Sequence, residues 1–248
     1  MSASRLVSIA HAALKQFSII KTADKFNHAV LVVKLPGALH AENKHNMTMP
    51  SVLDFWFEFA STYSYPAAMR IAPLAREAGV TVRFRPFLLG PVFQTQGWRT
   101  SPFNLYVAKG GNMWRDLERL CADLKLSFRR PEPFPQNSLL AARVALIGLD
   151  TTWGEQFCRA VFLAEFCEGF QIGDPAVLSD ILVRLNVEPD PVLDAAGTDT
   201  NKARLRAQTE EAQRLGIFGA PSFMTADGEL FWGNDRLERA LAWAKNGR

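Results

Sequence analysis

The stretch Val52-Leu-Asp-Phe-Trp-Phe-Glu-Phe-Ala-Ser61-Thr-Tyr-Ser64-Tyr-Pro66 decides the fold. Aromatic and aliphatic residues dominate its first eight positions, which predicts a mostly buried strand followed by a turn over residues 60–64. Tyr65 to Gly79 is amphipathic and predicts a helix, with Pro66 in its first turn and Gly79 at the C-cap. Val80 to Phe87 predicts a second strand. A strand–helix–strand unit of this kind predicts a right-handed parallel pair.

The chain beyond this unit is helical before strand character returns. Leu88 to about Leu215 holds no convincing strand. Its predicted helices lie at Trp114–Leu124, Leu139–Leu149, Phe157–Phe166, Val177–Leu185 and Asn201–Leu215. A hairpin is predicted from Pro221–Thr225 and Leu230–Trp232, with a last helix over Arg236–Ala244 capped by Asn234 or Asp235. The fold class that follows is α/β, a thioredoxin-like fold with a large all-helical insertion.

Three parts of the chain are expected from this order of elements. Residues 51–88 and 216–248 would form the thioredoxin-like domain, and residues 89–215 the helical insertion. Residues 1–50 carry scattered basic side chains and only a weak apolar patch. We expect them to lie outside the fold, either as a mobile extension or as an over-called start with translation beginning at Met47 or Met49.

Composition excludes several classes of protein. The net charge is only +3 and the sequence has no dense stripe of Lys and Arg, so no nucleic-acid partner is expected. No apolar run approaches the length of a membrane span. Three cysteines without a CxxC spacing indicate buried core thiols in a reducing compartment, so we expect a cytoplasmic protein; they are Cys121, Cys158 and Cys167.

Histidine usage narrows the possible chemistry further. All four histidines fall within the first 45 residues, at His11, His28, His40 and His45. If catalysis lies in residues 46–248, Ser-His-Asp and Cys-His machinery and histidine-ligated metal sites are excluded, and no metal is expected. The chemistry must then use a hydroxyl, a carboxylate, a lysine, backbone amides or a borrowed cofactor.

Three turns carry the candidate site. Ser61 is expected near a helix N-terminus, where it either caps the helix or hydrogen-bonds an incoming thiolate. Pro221 opens the hairpin after Ala220, either in a routine helix-to-strand turn or, if its peptide bond is cis, with the Ala220 backbone turned toward a ligand. Gly233, with Asn234 and Asp235, either binds a ligand's amino group or begins a helix. These turns meet at one end of the sheet in a thioredoxin-like fold, which favours one shared site.

With those residues placed, the chain resembles the 2-hydroxychromene-2-carboxylate isomerases over about residues 52–245. These are relatives of the kappa-class glutathione transferases within the disulfide-oxidoreductase-A-like group of thioredoxin folds. The resemblance is carried by Asp54-Phe-Trp-Phe-Glu-Phe-Ala-Ser61-Thr-Tyr-Ser64-Tyr65, Trp114-Arg-Asp-Leu-Glu-Arg119, Phe134-Pro-Gln-Asn137-Ser-Leu-Leu, Phe218-Gly-Ala-Pro221 and Trp232-Gly-Asn-Asp-Arg236.

The resemblance implies a glutathione-dependent cis–trans isomerase that interconverts 2-hydroxychromene-2-carboxylate and trans-o-hydroxybenzylidenepyruvate in aromatic hydrocarbon catabolism. Ser61 matches the catalytic serine that holds and activates the glutathione sulfur. Ala220, before Pro221, matches the residue whose backbone pairs with the glutathione peptide, and Trp232 to Asp235 match the stretch that receives its γ-glutamyl end. A homodimer through the helical insertion is a further implication.

The acceptor pocket departs from the family pattern in several places. Lys109 resembles a basic residue near the substrate, and Asn137 belongs to a matching motif and is a candidate substrate contact. Arg99 stands where an asparagine is expected; it or Lys109 could hold the carboxylate of a small aromatic substrate. Thr62 replaces a proline that often follows the serine, and Gly111-Asn112 replaces a bulkier pair.

Two other functions stay open at this point. One is a kappa-class-like glutathione transferase or peroxidase, which shares the cofactor site but consumes the thiol. The other is a non-catalytic thioredoxin-fold binding module. A dithiol oxidoreductase is disfavoured, because Ser61 and Ser64 occupy the positions of a CxxC pair.

Overall fold

A four-stranded sheet organises the structure, which is a computed structural model that describes residues 51–98 and 100–247. The strand order is β2-β1-β3-β4. The strands are β1 (Val52–Phe57), β2 (Thr81–Pro86), β3 (Ser222–Thr225) and β4 (Leu230–Trp232). β1 pairs with β2 in parallel, whereas β3 runs antiparallel to both β1 and β4. The predicted parallel pair and hairpin are therefore confirmed. Residues 1–50, which are expected to lie outside the fold, are not among the described residues.

Strand β1 contributes side chains to two hydrophobic clusters, one on each face of the sheet, because alternate side chains of a strand point to opposite faces. Leu53, Phe55 and Phe57 are fully buried in the main core. Phe57 stacks on Phe55 at 5.0 Å between ring centroids and lies 5.7 Å from Phe162 of the helical insertion. Trp56 faces the other way, into a smaller cluster. The sheet is thus covered on both faces.

The first helix, α1 (Ser64–Ala78), follows the predicted bounds within one residue. Gly79 ends it at φ 71°, a left-handed conformation that favours glycine, and its N–H bonds back to Arg76. The residue before the helix is Tyr63, and no side chain caps the helix. The interpretation of Ser61 as the capping residue is therefore wrong.

The segment between β2 and β3 is helical, and its described residues form no strand. Its helices are α2 (Leu89–Thr95), α3 (Pro102–Leu105), α4 (Val107–Asp123), α5 (Leu139–Gly148), α6 (Gly154–Leu163), α7 (Pro175–Arg184), α8 (Pro189–Gly197) and α9 (Asp199–Arg214). A π-helical turn, Ala164–Glu168, extends α6. The predicted helices are present, but α2, α3 and α8 were not predicted, because they are short and interrupted by Gly or Pro.

Two further expectations need correction. Cys121 and Cys158 are buried, whereas Cys167 is partly exposed and is not a core thiol. A short 3₁₀ turn, Asn234–Arg236, precedes the last helix, α10 (Leu237–Asn246), and no side chain caps this helix. Among the described residues, no helix combines the length and the apolar character needed to cross a membrane.

Candidate active site

A cavity of about 570 Å³ opens where β1 ends and β3 begins. Its walls come from the turn after β1, from α2 and α3, from the loop before α5, and from the turn before β3. Residues that line it include Glu58, Ser61, Thr62, Tyr63, Leu89, Phe93, Trp98, Phe103, Lys109, Phe134, Asn137, Ser138, Phe218, Ala220 and Trp232. Most of these side chains are apolar or aromatic, which is typical of a small-molecule site.

Ser61 lies on a tight turn at the edge of the cavity. Its N–H donates to the Glu58 carbonyl at 3.1 Å, and its own carbonyl accepts from the Ser64 N–H at 3.1 Å. The residue is 8% exposed, and its hydroxyl donates to the Ala220 carbonyl at 3.0 Å. The Ala220–Pro221 peptide bond is cis. Two of the three predicted turns therefore meet through one hydrogen bond.

No sulfur lines this cavity among the described residues. Cys121 and Cys158 lie in the main core, and Cys167 is not among the lining residues. Ser64, at the second position of a CxxC spacing, is fully buried and its hydroxyl has no hydrogen-bond partner. The turn therefore offers hydroxyl groups where a dithiol enzyme would offer thiols.

Helix α4 holds the turn from the other side. The Tyr63 hydroxyl donates to Asp116 Oδ2 at 2.8 Å, and burial together with this carboxylate raises the pKa of Tyr63. The Thr62 hydroxyl donates to Met113 Sδ at 3.3 Å. Thr62, which departs from the family pattern, thus has a partner that a proline could not have.

An aromatic pair stands at the mouth of the cavity. Phe218 and Trp232 pack with ring centroids 4.9 Å apart, and Trp232 stays 52% exposed. A Cβ at Gly219 would lie 2.5 Å from Trp232 Nε1. The absence of a side chain at Gly219 therefore lets the indole lie against this turn.

The other predicted residues of the third turn do not line this cavity. Gly233 has φ 109°, and its N–H donates to the Pro221 carbonyl at 2.9 Å. Asn234 is buried, and its Oδ1 accepts from Arg70 at 3.2 Å instead of capping a helix. Asp235 points to solvent and pairs with Arg236. The structure thus brings Trp232 to the cavity and leaves these three residues beside it.

Two of the three predicted substrate contacts line the cavity. Lys109, on α4, lines the cavity, and its Nζ lies 5.9 Å from the Phe103 ring centroid. Asn137 also lines it, and its Oδ1 accepts from the Leu139 N–H at 3.1 Å, at the start of α5. Arg99 lies outside the described residues.

Sequence reasoning missed Glu58, an acidic residue at the cavity wall that is only 6% exposed. Its oxygens accept from the Leu89 N–H at 3.0 Å and the Ala60 N–H at 3.4 Å. Burial outweighs these bonds and raises its pKa. The available signal was an acidic residue directly after a buried strand.

The fold and the cavity define a thioredoxin-like protein that carries serines in place of a redox cysteine pair. A family model described as the DSBA-like thioredoxin domain matches residues 52–242, and the chain belongs to that family. The predicted fold class, a thioredoxin-like fold with a helical insertion, is confirmed.

The predicted resemblance to the isomerases is also confirmed. Over 191 residues, 77% of this chain and 96% of the relative, the chain is 28% identical to the 2-hydroxychromene-2-carboxylate isomerase of Sphingobium xenophagum. The isomerase of that name from Pseudomonas putida is 26% identical over 197 residues, which are 75% of this chain and 90% of the relative. A solved structure of a 2-hydroxychromene-2-carboxylate isomerase superposes with a TM-score of 0.68 at 24% identity, covering 77% of this chain and 93% of that one, which shows the shared fold.

Proposed function

We propose that the protein is a glutathione-dependent cis–trans isomerase of a 2-hydroxychromene-2-carboxylate type of substrate. The observation that carries this proposal is the cavity itself: a hydroxyl group, Ser61, lies at its edge, and no thiol lines it among the described residues. A nucleophilic sulfur at this place has to come from outside the chain. The names of the relatives support an isomerase.

The residues present fit glutathione. Ser61 offers a hydroxyl donor that can turn from the Ala220 carbonyl to a sulfur atom, and the freed carbonyl can accept from a peptide N–H. The Trp232 indole forms an exposed wall beside them. Glutathione, when bound, supplies a thiolate that adds reversibly to a conjugated double bond, so that the bond can rotate. Ser61 holds and stabilises the negative charge on sulfur during this chemistry.

The remaining walls suit a flat aromatic acid. Phe93, Phe103 and Phe134 offer ring faces and edges to an aromatic ring. Lys109 places a cation within the same cavity, where it can hold a carboxylate. The chain thus orients an apolar ring and an anionic end separately, which fits an aromatic keto acid. A small molecule of this kind is the only partner that the proposal requires, and a cytoplasmic location, where glutathione is abundant, completes it.

The first test is the Ser61→Ala variant, assayed for isomerisation with glutathione present. Turnover should fall about 100-fold, the effect of losing one well-aimed donor at a developing charge. The folded state should be destabilised by only about 1 kcal/mol, because one hydrogen bond to Ala220 is lost. Ser179→Ala, on α7 and outside the cavity, is the matched control. Near-normal turnover of Ser61→Ala would remove Ser61 from the mechanism.

A second assay separates the isomerase from a kappa-class-like transferase. Protein, glutathione and an electrophilic aryl halide are incubated, and conjugates are followed by mass. An isomerase leaves the thiol free at the end of each turnover, whereas a transferase accumulates a stable conjugate. A non-catalytic binding module would convert neither substrate.

A further inference from the structure

A carboxyl group on the same turn as Ser61 has no part in the proposed chemistry so far. We propose that Glu58 is a second catalytic residue, which moves the proton between the hemiketal hydroxyl and the ring oxygen when the cyclic substrate opens. This inference rests on the proposed function, since it concerns the same site and the same substrate class.

The position of Glu58 suits this task. Its carboxyl group lines the cavity three residues before Ser61, and the Ser61 N–H donates to its backbone carbonyl. The N–H groups of Ala60 and Leu89 hold the side chain from two segments, at 3.4 Å and 3.0 Å from its carboxylate oxygens. A carboxylate can accept about four hydrogen bonds, so capacity is left for a substrate hydroxyl.

A second carboxyl group, that of Glu165, interacts electrostatically with Glu58. Glu165, on the π-helical turn, is fully buried, and neither of its oxygens has a hydrogen-bond partner. An ionised carboxylate without partners is very costly in the interior, so Glu165 keeps its proton. Burial and the charge of Glu58 both raise the pKa of Glu165. Glu58 is then the member of the pair that exchanges a proton with the cavity.

The chemistry of ring opening needs such a group. Glu58, as carboxylate, takes the proton of the hemiketal hydroxyl, and the electron pair of that O–H bond forms the carbonyl of the keto acid. The bond from this carbon to the ring oxygen breaks, and its electron pair stays on the oxygen as phenolate. Glu58 then returns the same proton to the phenolate. No proton or electron is gained or lost overall.

The test compares two substrates on the Glu58→Gln variant with glutathione present. One is the cyclic hemiketal; the other is cis-benzylidenepyruvate, which lacks the ring oxygen and cannot close. Glu58→Gln should slow conversion of the hemiketal about 100-fold, the usual contribution of general acid–base catalysis. Isomerisation of cis-benzylidenepyruvate should stay within about twofold of the wild type, and calorimetry should find unchanged glutathione affinity.

A purely structural role of Glu58 predicts a different pattern. Both substrates would then slow equally, and that result would overturn the proposal, as would full activity on both. Failure of the wild type to convert any keto acid with glutathione would overturn the proposed function instead.

Discussion

At the scale of single residues, the site works by placing polar groups where an apolar cavity meets the end of a sheet. Ser61 and Glu58 share one turn, so a hydroxyl and a carboxyl group reach the same space. Glu165, on the π-helical turn, has a fully buried carboxyl group without a hydrogen-bond partner. Burial of this group destabilises the ionised form of the folded protein. The free energy of unfolding therefore depends on pH through this carboxyl group.

The pH dependence of stability should reveal Glu165. Its pKa is raised in the folded state, so the folded protein keeps the proton after the unfolded chain has released it. Its contribution to stability is therefore fully present below the ordinary carboxyl pKa and is lost as pH rises toward the folded value. In urea unfolding, the free energy of unfolding of the wild type relative to Glu165→Gln should fall as pH rises above the ordinary carboxyl pKa. Glu155→Gln, at an exposed carboxylate of α6, is the control and should give no such fall. Parallel pH curves for wild type and Glu165→Gln would show that Glu165 is already ionised.

At the scale of elements, the turn before β3 is shaped by close packing. Gly219 lies against the Trp232 indole, and a Cβ there would meet Nε1 at 2.5 Å. The Phe218–Trp232 pair at the mouth of the cavity depends on this approach. The glycine thus decides the position of an aromatic wall that comes from another strand.

Replacing this glycine should move the wall without unfolding the protein. Gly219→Ala should push the exposed Trp232 side chain outward, because the indole is free to move toward solvent. We expect the KM for glutathione to rise about fivefold, a loss of about 1 kcal/mol of binding, with a change in tryptophan fluorescence. Gly111→Ala is the control, since a Cβ at Gly111 would meet nothing within 4 Å. An unchanged KM for glutathione in Gly219→Ala would separate Trp232 from glutathione binding.

The length and continuity of the apolar pattern decide which elements could be predicted from the sequence. β1 and α5 were predictable because their apolar patterns are long and continuous. The helices α2 and α3 could not be predicted, because both are too short to show a helical period of apolar residues. Gly90 and Pro91 in α2 also indicate a loop. The predicted cap at Asn234 was wrong, because Arg70, from a distant helix, occupies its amide oxygen.

At the scale of the whole molecule, the site exists because distant segments converge. Ser61, Ala220 and Trp232 could be predicted as one site from the order of elements alone. Glu58 and Glu165 could not, because only the tertiary fold places one at the cavity and buries the other. The described wall of the cavity offers no cysteine, so the proposed mechanism takes its thiolate from glutathione.

The most direct test of the central claim is the rate of hemiketal conversion by protein from which all small-molecule thiols have been removed by dialysis. The account predicts no conversion above background, full recovery on adding glutathione, and no recovery with S-methylglutathione, whose sulfur cannot ionise. Equal rates in all three conditions would contradict it, because the chain would then hold its own nucleophile.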